Sequence, residues 1–398
     1  MFWEILLKIM TSMYTVRRGG AYDRFLMMVE AFLERRCEIH CISLTPVRIR
    51  HPLFHNHVIY FPLHLDHPML MKISVLLLFP LWTFLVGWRE KVDVFIAFNS
   101  LYAFIQAMPK WILSKPMVTL IRGDFVFGLK MRRSLSKFRR LSGAMEYLGL
   151  SASDRILAVN RDIQEKVTKV IGDRKNIDVE VFFNNILVSN HSAGTERLNI
   201  RSQYAIPEDA KVMVTAGVLN QGKNIEVVLK SFLRIGIENL FLFLIGGGTT
   251  KEDTAYLDGL KGMTKELGLE QRVVFTGWLP KEEMWRVFRA SDLFILSSLN
   301  EGMPNVLLEA LGLDLPCLGS RIPGVRDILE HEELMFDPKD EESIAHKVNR
   351  FLSDEQHANH ILQLCHERSK DFFFDWKERV FQMVTQRPFH KRGACQSR

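Results

Sequence analysis

Cysteine is scarce. Five residues, Cys37, Cys41, Cys317, Cys365 and Cys395, are scattered over 398 positions. They form neither a disulfide framework nor a zinc spacing, which fits a reducing compartment. Cys37 and Cys41 flank the start of a strand and read as packing residues. Long apolar runs are also missing. The most apolar of the long uncharged stretches, Ile73 to Trp88, has 16 residues and contains Pro80 and Gly87. A spanning helix needs roughly 20 apolar residues, so this stretch reads as a buried helix or a monotopic membrane contact. Phe2 to Met10 is apolar but broken by Glu4 and Lys8. It lacks the basic start and cleavage site of a signal peptide and reads as the first strand. No Asp-x-Asp pair occurs, so that carboxylate device for a metal-bound diphosphate is lacking. His51, His55, His57, His64 and His67 cluster, but they fit no zinc template and two prolines interrupt them. They read as a polar loop and strand edge, and no metal is expected. There is no fixed-period repeat and no low-complexity tract.

What is present is globular: 47% hydrophobic and 25% charged residues, with a net charge of +6 that favours an anionic partner. Strand-like and helix-like segments alternate. Strands are expected at Glu4–Met10, Ile39–Leu44, His57–Phe61, Val92–Phe98, Pro116–Ile121, Arg155–Asn160 and Asp178–Phe183. Helices are expected at Tyr22–Arg35, Met69–Trp88, Leu101–Leu113, Leu129–Leu148 and Ile163–Ile171. The polar residues Ser189–Glu196 read as a linker. Beyond it, strands at Lys211–Ala216, Leu240–Ile245, Arg272–Phe275, Leu293–Leu296 and Pro316–Gly319 alternate with helices at Ile225–Leu233, Tyr256–Leu267, Lys281–Arg289 and Asn305–Leu311. The pattern predicts an α/β protein with two Rossmann-like, doubly wound domains facing a cleft, at 1–190 and 195–370.

The most informative segment is Ser298-Leu-Asn-Glu301-Gly-Met-Pro-Asn-Val-Leu-Leu-Glu309-Ala310. It follows the apolar run Asp292–Ser298, so it reads as strand, turn and a helix opening near Pro304. One carboxylate then sits at the helix mouth, and the other a turn and a half further in. The amides of such a terminus form an anion site. Carboxylates on both sides of it suit a phosphate flanked by two polyols, as in a nucleotide-sugar. Upstream, Val214-Thr-Ala-Gly217-Val-Leu-Asn-Gln-Gly222-Lys223-Asn224 also follows a strand. Its glycines admit a phosphate and Lys223 brings a cation. Gly19-Gly20 and Ile121-Arg122-Gly123-Asp124 end strands of the first half, and Gly246-Gly247-Gly248 and Gly277-Trp278 end strands of the second. Each also has a plainer reading, as a tight turn, a surface lysine or a structural ion pair of Arg122 with Asp124.

The segment from Glu301 to Glu309, with Phe275-Thr-Gly277-Trp, Ala290-Ser-Asp292-Leu-Phe and Ser320-Arg-Ile-Pro-Gly324-Val-Arg-Asp-Ile328, resembles the Glu-x7-Glu signature region of the family-four retaining glycosyltransferases, which have the GT-B fold. That resemblance implies metal-independent transfer of a hexose from a UDP- or GDP-hexose to a glycan or lipid-linked saccharide, in polysaccharide or lipopolysaccharide biosynthesis. No resident cofactor is implied, and the resemblance also implies a final helix in 371–398, around Trp376, that packs back on the first domain. Glu301 would face the sugar and stabilise positive charge at the anomeric carbon. Lys223 would hold the diphosphate and Glu309 the ribose, and the backbone of Gly302, Met303, Pro304, Asn305 and Val306 would hold sugar and phosphate. Gly19 and Gly20 would lie against the phosphate, and Gly217, Gly247 and Gly277 would shape the donor pocket, with Trp278 stacking on the base or packing in the core. Three positions depart from the pattern. Val218 replaces an arginine, Arg122 stands at a usual histidine, and Asp314 stands at a usual glycine. Arg122 would supply some of the charge lost at Val218. The rival readings are a non-catalytic nucleotide-sugar-binding partner of a glycan assembly complex and a GT-B sugar-nucleotide epimerase.

Residues 130–140 carry Lys130, Arg132, Arg133, Lys137, Arg139 and Arg140. Met131, Leu135, Phe138 and Met145 line the other face of an expected helix. Together with Ile73–Trp88 this suggests a cytoplasmic protein held peripherally on the anionic inner face of the membrane. Nucleic acid is not expected, because the basic charge is local and no aromatics interleave it.

Overall fold

The structure is a computed structural model and describes residues 7–13, 19–59, 68–123, 139–172, 177–188 and 196–386. The chain divides into two compact units, Met1–Phe183 with Asp375–Arg398, and Asn184–Phe374.

The first unit alternates β1 (Lys8–Met13), α1 (Gly20–Leu33), β2 (Glu38–Ser43), β3 (Phe54–Val58), α2 (Pro68–Glu90), β4 (Val94–Phe98), α3 (Ser100–Leu113), β5 (Met117–Ile121), α4 (Arg139–Ala152), β6 (Arg155–Ala158), α5 (Arg161–Ile171) and β7 (Asp178–Val181). Its seven strands are all parallel, in the order β3-β2-β1-β4-β5-β6-β7. The central strands are covered on both faces, which is why β4 (VFIAF) and β5 (MVTLI) are nearly continuous apolar runs.

In the second unit, α6 (Glu196–Gln203), β8 (Lys211–Val218), α7 (Ile225–Phe232), β9 (Leu240–Gly247), α8 (Lys251–Glu266), β10 (Val273–Gly277), α9 (Lys281–Ala290), β11 (Leu293–Leu296), α10 (Asn305–Gly312), β12 (Cys317–Ser320), α11 (Pro323–Leu329), β13 (Met335–Phe336), α12 (Glu341–Ser353) and α13 (Glu355–Lys370) follow in turn. Its six strands are also parallel, ordered β10-β9-β8-β11-β12-β13. Both sheets therefore have the doubly wound order in which the chain reverses direction between its first and fourth strands.

The last helix, α14 (Trp376–Thr385), belongs to the first unit. Trp376 is fully buried, with Phe182 at 5.3 Å and the Arg24 guanidinium 5.6 Å over its ring. Phe381 packs on Phe32 at 5.8 Å, Arg35 pairs with Glu378 at 2.6 Å, and Lys377 reaches Glu30 of α1 and Glu34 at its C-cap.

Several expected boundaries move. The first strand is seen at Lys8–Met13 and runs past the expected end at Met10, because Ile9 to Met13 are buried and Lys8 pairs in register with Glu38, while residues 4–6 of the expected Glu4–Met10 lie outside the described residues. The third strand is Phe54–Val58 and starts before the expected His57, since Ile39 aligns with Phe54, while residues 60–61 of the expected His57–Phe61 lie outside the described residues. The helix expected from Leu129 is seen from Arg139. Residues 124–138, with most of the basic segment, lie outside the described residues, as do Asp124, Cys395 and nearly all of the polar stretch 189–196. Asp314, at a usual glycine, has φ 54° just past the end of α10. That left-handed position favours glycine, and a short Asp side chain tolerates it.

Of the clustered histidines, His55 and His57 stack on His40 at the sheet edge, and His64 and His67 lie outside the described residues. The rings of His55 and His57 lie 4.9 and 5.4 Å from that of His40. His40 Nδ1 is 3.1 Å from His57 Nε2, and Glu38 Oε1 lies 3.2 Å from both His40 and His55. Lys8 occupies the other Glu38 oxygen at 3.0 Å, and Glu90 and Arg89 complete the charged surroundings. Burial, outweighing Glu38, pushes His40 down to about 4, and burial also lowers His57. An unfolded histidine titrates near 6.5. The unfolded chain therefore takes up these protons first as pH falls, and stability present above pH 6.5 is lost toward pH 4. The melting temperature should drop by several degrees across that window, and His40→Gln should flatten the drop. An unchanged slope in the variant would contradict this assignment.

Candidate functional site

The site of the second unit forms where β8 and β11 lie side by side and their connections part. β8 ends in Gly217 at φ 140°, followed by a short 3-10 turn, Gln221–Lys223, and by Asn224 in the left-handed region at φ 52°. This tight path is pinned from the neighbouring loop. Ser297 Oγ donates to the Lys223 carbonyl at 2.8 Å, and the Leu299 N–H donates to the Gly222 carbonyl at 2.8 Å. The Asn224 amide reaches the Pro338 carbonyl at 2.6 Å.

That lacing brings together the two residues the sequence singled out for chemistry. Lys223 Nζ lies 2.5 Å from Glu301 Oε1. Ser298, fully buried, donates its hydroxyl to the same oxygen at 2.7 Å. Glu301 therefore has a fixed direction, and Lys223 lies over Gly217, where an added Cβ would come 3.3–3.4 Å from its Cε and Nζ. Behind them, α10 opens at Asn305, and Glu309 is buried at 4% exposure with Lys281 Nζ of α9 at 3.7 Å. A helix N-terminus beside a cation, with a carboxylate at each end, can hold an anion between two hydroxyl-bearing groups.

The loop carrying Glu301 is rigid. Met303 is buried, and its sulfur and carbonyl both take N–H groups of Asn184, at 3.0 and 3.1 Å. Asn184 also donates to the Asn305 side chain at 2.8 Å. Met303 thus points inward, leaving only its backbone for a ligand. Gly324 of α11 packs so closely on this loop that a Cβ there would meet the Gly302 and Glu301 carbonyls at 2.2 and 2.4 Å.

The remaining glycines also serve close approach. A Cβ on Gly246, φ 123°, would meet the Gly217 carbonyl oxygen at 1.8 Å, and one on Gly247 would meet Trp278 Nε1 at 2.9 Å. Trp278 is thus half-exposed against the backbone after β9. Gly277 adopts φ 70° where β10 ends.

In the first unit, Gly19 caps α1 at φ 139° and Gly20 is its first residue. Arg122 directly follows β5, and burial, with the like charge of Arg24 adding to it, pulls its guanidinium down to about 9. Its suggested partner Asp124 lies outside the described residues.

Ser298, Asn184 and Lys281 escaped sequence reasoning. Ser298 sits three residues before Glu301, and a Ser-x-x-Glu spacing was the available signal. Asn184 and Lys281 act over 119 and 28 positions and leave no local signature.

Residues 196–363 match the Glycosyl transferases group 1 family. A glycosyltransferase of Methanocaldococcus jannaschii is 25% identical over 313 residues, spanning 77% of this chain and 75% of its own. The lipopolysaccharide core biosynthesis glycosyltransferase LpsD of Rhizobium meliloti is 28% identical over 221 residues, 55% of this chain and 59% of its own. Among solved structures, Anabaena HepE in complex with UDP-glucose aligns with a TM-score of 0.74 at 17% identity, over 95% of this chain and 99% of that one.

Gly246→Ala should cost at least about 2 kcal/mol through clash and a disfavoured φ. A denaturant melt indistinguishable from wild type would contradict the tight β8–β9 approach. The second unit is a glycosyl transferases group 1 domain, in a protein of the GT-B fold.

Proposed function

We propose that the protein is a retaining, metal-independent hexosyltransferase that moves a sugar from a UDP- or GDP-hexose to a glycan or lipid-linked saccharide. The observation that carries this reading is the placement of Lys223, Glu301 and Ser298 at the β8–β11 parting, in front of α10 and Glu309. Glycosyl transfer builds positive charge at the anomeric carbon and negative charge on the leaving diphosphate. A carboxylate aimed at the first and an ammonium at the second both lower the barrier. Glu309 is assigned to the ribose hydroxyls, as acidic residues are in other Rossmann sites. The backbone of Gly302 to Val306 is assigned to sugar and phosphate, and Gly217, Gly247 and Gly277 to the walls of the pocket. In the first unit, Gly19 and Gly20 are assigned to the donor phosphate, and Arg122 to the charge missing at Val218.

Incubation with UDP-, GDP- and ADP-sugars should release nucleotide slowly from one donor. Glu301→Ala and Lys223→Ala should each cut that release by at least about a hundredfold, the scale of a lost electrostatic contact in a transition state. Release that survives in both variants would remove the assignment. Arg122→Ala with unchanged donor affinity and turnover would dismiss its compensating role. Val218 favours one second reading, a partner that binds nucleotide-sugar without turning it over. Donor binding unaffected by Glu301→Ala, with no release from any donor, would support it.

The reading extends to a lipid-linked acceptor and a cytoplasmic, membrane-peripheral location, of which the membrane attachment is supported by α2 and α3. No helix among the described residues is long and apolar enough to cross a membrane. Yet Leu77, Leu81, Trp82, Leu85 and Trp88 project from one stretch of α2, with Leu77 at 69% and Trp88 at 66% exposure, and Trp111 projects from α3. Leucines with tryptophans suit the bilayer interface. Wild-type protein should co-sediment with vesicles containing anionic lipid, and Leu81→Ser/Trp82→Ser should weaken that binding. Equal recovery with and without vesicles would exclude it.

A further inference from the structure

The ion pair between Lys223 and Glu301 has a consequence beyond catalysis. Both side chains are only 17% exposed, and each is the other's counter-ion at 2.5 Å. The cation assigned to the diphosphate is thus neutralised by the carboxylate assigned to the sugar. A ligand that takes Lys223 must leave Glu301 with a compensating partner, because separating a largely buried pair strands a charge. Ser298 supplies one hydrogen bond at 2.7 Å, and it is already made.

We propose that this pair makes the site discriminate between intact donor and spent nucleotide. The inference rests on the donor-site reading above. An intact nucleotide-sugar replaces both partners at once: its diphosphate takes Lys223, and its sugar hydroxyls donate to Glu301. A free nucleoside diphosphate replaces only one. It draws Lys223 away and offers Glu301 nothing, so re-forming the ion pair opposes its binding. Once transfer has removed the sugar, Glu301 competes for Lys223 and the nucleotide leaves. Specificity of this kind comes from a penalty on the wrong ligand rather than from an added contact with the right one. The loop lacing supports a competition of this sort. Ser297, Leu299 and Asn224 hold the two backbones together, so the pair cannot relax by moving the loops apart. Ser298 keeps Glu301 Oε1 in place for Lys223 to return to.

Calorimetric titration of UDP and GDP into wild type, Glu301→Gln, Glu301→Asp and Lys223→Ala tests this. Glu301→Gln keeps the shape but removes the competing charge. It should bind the cognate nucleoside diphosphate at least about fivefold more tightly than wild type, the worth of a modest ion pair. Glu301→Asp, shorter by a methylene, should fall between them, which guards against misfolding of one variant. Lys223→Ala should bind it more weakly than wild type. Glu301→Gln binding the nucleotide no more tightly than wild type, with Lys223→Ala still weakened, overturns the discrimination while leaving the donor site standing. Failure of every protein, wild type included, to bind either nucleotide at millimolar concentration overturns both.

Discussion

Two parallel strands that sit side by side while their connections leave in opposite directions are the constraint on which the site depends. In the second unit those strands are β8 and β11, paired through Leu293 with Met213 and Phe294 with Val214. Parallel strands need a crossover each, and neighbouring crossovers that part leave a gap at the carboxyl ends. Lys223 leaves from one edge of that gap and Glu301 from the other. A one-residue slip of β11 would turn its buried side chains to the other face and shift the loop that carries Glu301. The buried runs Val212–Val214 and Leu293–Leu296 fix the register, so hydrophobic burial in the strands sets the geometry of the polar pair above them.

The same economy explains the glycines. Close backbone approach, rather than flexibility, is what Gly246 and Gly324 provide. Gly246 lets β9 crowd the end of β8, and Gly324 lets α11 crowd the Glu301 loop. Dense packing beneath the site leaves Glu301, Ser298 and Lys223 little freedom, and a preorganised electrostatic site costs little reorganisation during the reaction. The first unit solves a different problem. Its α14 arrives from the far end of the sequence and is held by a buried Trp376, a Phe32–Phe381 contact and three ion pairs to α1 and the two residues that follow it.

Much of this was legible in the sequence for a physical reason. Doubly wound parallel sheets write themselves as short apolar runs between amphipathic helices, and both sheets were readable in that form. Glu301 and Lys223 were readable because each lies in a turn between strand and helix, marked by nearby glycines. Legibility failed where partners are far apart in sequence. The clamp of Asn184 on Met303, the approach of Lys281 to Glu309 and the stack of His40 with His55 and His57 depend on tertiary contact alone. Boundaries failed at β1 and β3 because apolar residues flank both strands, and pairing partners rather than composition decide which residues join the sheet. Asp314 shows the converse. A departure from a family pattern that looked functionless in sequence is a backbone requirement, satisfied at φ 54°.

The central claim is that the loops after β8 and β11 together form the donor site. Hydrogen exchange read by mass spectrometry, with and without a saturating nucleotide-sugar, tests it most directly. Protection should concentrate in peptides covering 217–224 and 298–309, and it should vanish in Lys223→Ala. Protection confined to other segments, or none at all with a donor shown to bind, would contradict the account.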